Sequence, residues 1–128
     1  MSFLKNVFGG NDDGKSVSKV SWRQLTDLSQ LNEIINSSTE KPVAIFKHST
    51  RCHISKMVLR QFENEFASEE TIIPYFLDLI EHRDISNEFA ARFGIMHQSP
   101  QLIVIIDGKA VYDASHSDID ATQLEQFV

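Results

Sequence analysis

Residues 46–55 read FKHSTRCHIS, and this stretch decides the fold. It joins an apolar run, KPVAIFKH at 41–48, to a helical stripe, and it sets Cys52, the chain's single cysteine, between the two. A compact apolar run after a proline suits a buried strand. Ile54, Val58, Leu59, Phe62 and Phe66 recur at helical spacing, so a helix is expected from about His53. Cys52 therefore lies in a loop from strand to helix. Ser55 stands three positions on, where a redox pair would carry its second cysteine.

Outward from this junction, strand-like and helix-like pieces alternate. VSW at 20–22 is a candidate short strand, and Leu25, Leu28, Leu31 and Ile35 follow at helical spacing, with Asp27 near the helix start. YFLDLI at 75–80 reads as a strand, begun after Pro74 because proline cannot donate to a ladder. A helix is expected from about Asp84 to Phe93, with Ile85, Phe89 and Phe93 on one face and Gly94 as its C-terminal cap. QLIVII at 101–106 is the most apolar strand. It meets KAVYDA at 109–114 through Asp107-Gly108, a two-residue hairpin turn. Ser117 is placed to cap a last helix carrying Ile119, Leu124 and Phe127. The order β-α-β-α-β-α-β-β-α implies an α/β fold of parallel strands with helices on both faces, closed by an antiparallel hairpin. Chemistry in such sheets gathers in loops at the carboxyl ends of strands, where Cys52 falls.

The 128 residues suffice for one domain with its own core. Residues 1–18 are expected to be a flexible N-terminal leader, glycine-rich and polar from Gly9 to Ser18, ahead of a domain over 19–128. Lys5 and Asn6 interrupt any signal-peptide core, and no run reaches the roughly 20 apolar residues that span a bilayer. A weak amphipathic anchor at Phe3, Leu4, Val7 and Phe8 is the lesser alternative. A formal charge of −6 without a basic stripe argues against nucleic-acid binding. One cysteine excludes an internal disulfide framework and fits a reducing, cytoplasmic setting.

A thiol at a helix N-terminus meets unpaired backbone N–H groups and the positive end of the macrodipole, both of which favour the nucleophilic thiolate. Arg51 and His53 flank it, and Lys47, His48 and Lys56 are near in sequence, so a cationic local field is expected. A lone cysteine is more often a small core residue, but polar neighbours on both sides weigh against that here. Ser55 can cap backbone donors or bond the thiolate, yet it cannot expel a mixed disulfide, so exchange would wait for an outside thiol. In MHQSPQLIVII at 96–106, a cis Ser99–Pro100 bond in a fold of this order would set Ser99's backbone opposite the cysteine loop to pair with a substrate, with His97 and Gln98 lining the same cleft.

Five histidines and one cysteine raise a metal site, but no third and fourth ligand appears at a useful spacing, so none is expected. A Cys-His hydrolase lacks an oxyanion glycine near Cys52. Trp22 reads as a packing residue, and His116 as a residue at the start of the last helix. Asp78, inside an apolar strand, reads as exposed at a strand edge rather than as a buried proton carrier.

The element order, the C-x-x-S at a strand–helix junction and the Ser-Pro before the fourth strand resemble the thioredoxin fold. More narrowly, FKHSTRCHIS, HQSPQLIVIIDGKAVYDASHSDI and the SW near the start resemble the monothiol bacilliredoxins. The resemblance runs from about Val20 to the C-terminus. It implies a thioredoxin-like fold, a central mixed sheet of about five strands flanked by about four helices. It also implies a cytosolic oxidoreductase that removes bacillithiol from mixed disulfides on client proteins. Cys52 would be the nucleophile, Arg51, His53 and Ser55 its support, and His97, Ser99 and the cis Pro100 the substrate cleft. Bacillithiol would be co-substrate, with no bound cofactor or metal. The partners would be S-thiolated clients and a low-molecular-weight thiol, met by a monomer without membrane or nucleic acid. His53 departs from the family, which usually has proline there: as imidazolium it favours the thiolate, as imidazole it can act as a base. The alternative is a non-catalytic thioredoxin-fold binding or redox-sensing module.

Overall fold

The computed structural model describes residues 20–128; the leader and its possible anchor lie outside them. Five strands, β1 (Arg23–Gln24), β2 (Val43–His48), β3 (Ile73–Asp78), β4 (Gln101–Ile106) and β5 (Lys109–Ser115), form one sheet in the order β1-β3-β2-β4-β5. β1, β3 and β2 run parallel, while β4 and β5 are each antiparallel to their neighbour. The α-helices are α1 (Gln30–Ser37), α2 (His53–Glu65) and α3 (Arg83–Phe93). No helix among the described residues is long and apolar enough to cross a membrane.

Strand alternation splits the apolar residues into two layers. Ala44, Phe46, Leu102 and Val104 face Phe62 and Phe66 of α2 and Leu124 near the C-terminus. Val43, Ile45, Leu77, Ile103 and Ile105 face Leu31 and Ile34 of α1 and Ile85 and Phe89 of α3. The sheet is thus covered on both sides, as the alternating order predicts. The β4–β5 turn also follows its sequence: Asp107 and Gly108 both take positive φ, at 52° and 75°. The turn docks on α1, since the Ser38 hydroxyl accepts from the Gly108 N–H at 2.8 Å. A side chain at 108 would press on Ile35, leaving 3.3 Å to its methyl group. Gly94 closes α3 in the left-handed region, φ 67°.

Five expectations are corrected. α1 begins at Gln30, so Leu25, Asp27 and Leu28 precede it, and its buried residues are Leu31 and Ile34. The first strand is Arg23–Gln24, not VSW: the Trp22 N–H turns back to the Val20 carbonyl, and Val20 and Trp22 both enter the α2-side core. β3 begins at Ile73 and so contains Pro74. The Ile73 N–H donates to β2 through the Pro42 carbonyl, whereas the Phe76 carbonyl accepts from Leu25, on the β1 side. Even-numbered residues of β3 thus face β1, whose pairing begins only at Tyr75, so Pro74's missing donor faces no partner strand. On α2, Ile54 is 57 % exposed and Ser55 buried, so the stripe starts at Ser55. Finally, the last helix is wound as 3₁₀ turns at His116–Asp118 and Ala121–Phe127. Ser117 lies inside the first of these. The cap is Asp120, whose carboxylate takes the Thr122 N–H and hydroxyl at 2.9 and 2.7 Å, a local turn that competes with α-helix.

Candidate active site

Cys52 is the N-cap residue of α2, in extended backbone geometry with φ −105° and ψ 119°. Its carbonyl accepts the Lys56 N–H at 3.1 Å, the first bond of the helix, and its own N–H closes a turn onto the Ser49 carbonyl at 3.2 Å. The backbone is thereby fixed on both sides while the side chain makes no capping bond and stays partly exposed. A thiol so held sits at the positive end of a 13-residue helix, free to meet a disulfide.

Ser55 does not serve the sulfur. It is fully buried, and its Oγ accepts the Ser49 N–H at 3.2 Å and lies 2.8 Å from His48 Nδ1. Burial pushes the His48 pKa down, against the opposing pull of Asp78 and with the help of Lys56, so the ring is neutral in the fold. The Ser55 hydroxyl and His48 Nδ1 share one hydrogen bond, whose donor is set by the ring tautomer. The backbone donor that Ser55 satisfies therefore belongs to the cysteine loop and not to the helix. This triad ties the end of β2, the loop and the first turn of α2 into one unit.

The expected cationic field shrinks accordingly. His48 is buried and neutral. Lys47 points through the other face, fully buried, with its ammonium 5.1 Å from the Phe89 ring centre and no hydrogen-bond partner among the described residues. Burial lowers its pKa from 10.5 to about 8. The cations left on the thiol's side, Arg51 and Lys56, are exposed, as is His53.

The Ser99–Pro100 bond is cis, as expected, immediately before β4. Pro100 is buried and Ser99 half-buried, its hydroxyl enclosed without a partner among the described residues. Gln101 closes the segment, its amide donating to the Met96 carbonyl at 3.0 Å. His97 is exposed and anchored to α3, its Nδ1 3.2 Å from the Ser86 hydroxyl. Partial burial, then Lys47 and Arg83, hold its pKa down. Gln98 lines a groove of about 480 Å³ with Met96, Asp113 and His116, on the β5 side of the segment. Asp78 is half-buried at the end of β3, opposite His48 in register, where its carboxylate accepts the Ile80 and Glu81 N–H groups. It shapes a turn.

Lys47, His48 and the Ser55 bond escaped the sequence reading, although the signal was present. A period of two across VAIFKH puts 47 and 48 on opposite faces, and 55, 59, 62 and 66 make a better helical stripe than one begun at 54. Trp22 was legible as a packing residue. It stacks on Phe62 at 5.7 Å and its indole N–H donates to Glu63.

The chain matches the family described as monothiol bacilliredoxin BrxC over residues 23–124. A solved structure described as a candidate oxidoreductase with a thioredoxin fold is 31 % identical, with TM-score 0.69, over 80 % of this chain and 89 % of that one. The thioredoxin of Malassezia sympodialis (18 % identity, TM-score 0.64, 88 % and 91 % covered) and mitochondrial thioredoxin 3 of Saccharomyces cerevisiae (21 %, 0.63, 86 % and 95 %) share the fold. A thioredoxin fold with one thiol, set on the N-cap of α2 with a buried serine three residues on, belongs to a thiol redox protein, and this chain is a member of the monothiol bacilliredoxin family.

Proposed function

We propose that the protein is a monothiol thiol-disulfide oxidoreductase that removes bacillithiol, or a similar small thiol, from mixed disulfides on client proteins. The Cys52 thiolate attacks the small-thiol sulfur; a new disulfide forms between them, the old one breaks, and the client leaves as its thiolate. A second thiol then attacks the small-thiol sulfur on Cys52, and Cys52 departs as thiolate. Charge and electrons balance in both steps, since each exchanges one thiolate for another. His97, Ser99 and Pro100 are read as the edge on which the client strand lies, and Arg51 and His53 as the polar border of the thiol.

One observation carries this reading. Ser55 is buried and held by His48 and Ser49, so nothing three residues from the thiol can attack the mixed disulfide from within. The chemistry stops at a Cys52 adduct until a thiol from outside arrives. The test is to mix the reduced protein with a client peptide carrying a bacillithiol mixed disulfide and follow intact masses. Stoichiometric transfer to the wild type and none to Cys52→Ser is expected. A client that stays thiolated beside the wild type would refute the reading.

A further inference from the structure

α2 carries its charges in an order that its own stability opposes. The positive end of a helix favours acidic side chains, yet its first turn has none. The first two turns present His53, Lys56 and Arg60, all exposed, while Glu63 and Glu65 fall at the far end. Lys56 and Arg60 are also four residues apart, a spacing at which like charges repel. Neither makes an ion pair among the described residues. Glu63, the first acid of the helix, accepts the Trp22 indole N–H at 2.6 Å. Between the cations lie two large apolar side chains in water, Ile54 and Met57, 57 % and 59 % exposed. The fold gains nothing from cations and bare apolar groups at this end of α2, and a binding partner would gain from both.

Resting on the function proposed above, we infer that the outer crest of the first two turns of α2, from Arg51 through His53, Ile54, Lys56 and Met57 to Arg60, is the docking surface for client proteins. The clients it fits are those whose thiolated cysteine is flanked by acidic residues. Complementary charge steers such a client to the thiol from a distance, and Ile54 and Met57 bury apolar area once it arrives. The preference lies in the client's protein surface and not in the small thiol it carries.

The experiment uses the full chain and two peptides of equal length, each with one cysteine joined by a disulfide to uncharged 2-mercaptoethanol. One peptide has aspartates beside the cysteine and the other has lysines. Single-turnover release of free peptide thiol, with protein in excess, is expected to be about tenfold faster for the acidic peptide at low salt. The ratio should fall toward one at high salt, because exposed charges are screened there. Lys56→Glu with Arg60→Glu should invert the preference while the thermal midpoint stays nearly unchanged, since both are exposed surface positions. Equal rates for the two wild-type peptides overturn the inference and leave the thiol chemistry standing. A salt-sensitive dimer that the double variant abolishes also overturns it, by making a second copy of the chain the occupant. No release from either peptide overturns the proposed function, and this inference with it.

Discussion

Two neighbouring basic residues end β2, and the sheet treats them in opposite ways. His48 faces α2, where its Nδ1 is hydrogen-bonded to Ser55 and burial favours the neutral ring. Lys47 faces α3, where its ammonium has an aromatic ring but no hydrogen-bond partner among the described residues. A buried polar group without a partner is costly, and a satisfied one is nearly neutral. The thiol side of the sheet is therefore the settled side, a neutral histidine fastened to the helix that presents Cys52. The opposite side holds a charge that works against the fold. The cysteine loop is thus positioned by hydrogen bonds and not by a ring of cations.

Removing the unsettled member should have the largest effect. Lys47→Met keeps most of the buried stem and deletes the charge. Since the folded pKa is about 8 against 10.5 in the unfolded chain, the unfolded state binds more protons between these values. Stability should therefore rise with pH across that window. Below pH 8 the penalty is fully present, at most about 3 kcal/mol, with part offset by the cation–π contact. Denaturant unfolding at pH 7 should find Lys47→Met more stable than wild type, and from pH 8 to 10.5 the gap should close. A less stable variant would mean that a partner holds the ammonium.

Breaking the settled side comes next. Ser55→Ala leaves the Ser49 N–H and His48 Nδ1 without their buried partner, a loss of about 1–3 kcal/mol. Cys52 should also lose its fixed approach, so transfer rates should fall with stability. Unchanged denaturation and unchanged transfer would show that the triad is not what holds the loop.

A smaller effect belongs to His48 itself. Its folded pKa lies below 6.5, so the unfolded chain takes up a proton first as pH falls. Stability is full above pH 6.5 and declines below it toward the folded value. In His48→Gln that decline should be weaker, which unfolding curves at stepped acid pH would report. Smallest of all is His53→Pro. Proline suits the first position of a helix, and His53 is exposed, so stability should stay within about 0.5 kcal/mol. A larger loss would mean that the His53 backbone is tied to the loop.

The architecture was readable because each element announced itself locally: apolar runs for β2 and β4, Asp107-Gly108 for the hairpin, Gly94 for the end of α3. The thiol's station at the start of α2 followed from the strand–helix junction alone. What escaped was set by tertiary context. Nothing near residue 20 says that the Trp22 N–H turns back onto the Val20 carbonyl instead of entering a ladder. Pro74 is admissible in β3 only because β1 starts one residue further on. The Ser55–His48 bond joins residues seven apart whose facing depends on how β2 and α2 pack.

The central claim, that one thiol forms the adduct and nothing within the chain resolves it, is tested most directly by restoring the missing sulfur. Wild type and Ser55→Cys are each loaded with bacillithiol on Cys52, freed of excess thiol, and followed by intact mass over time. Wild type should keep its adduct until thiol is added back. The variant should lose the adduct unaided as its introduced thiol closes a disulfide onto Cys52, a geometry that C-x-x-C at a helix start allows. Its mass should then fall two hydrogens below that of the reduced variant. A wild-type adduct that disappears without added thiol would contradict the account.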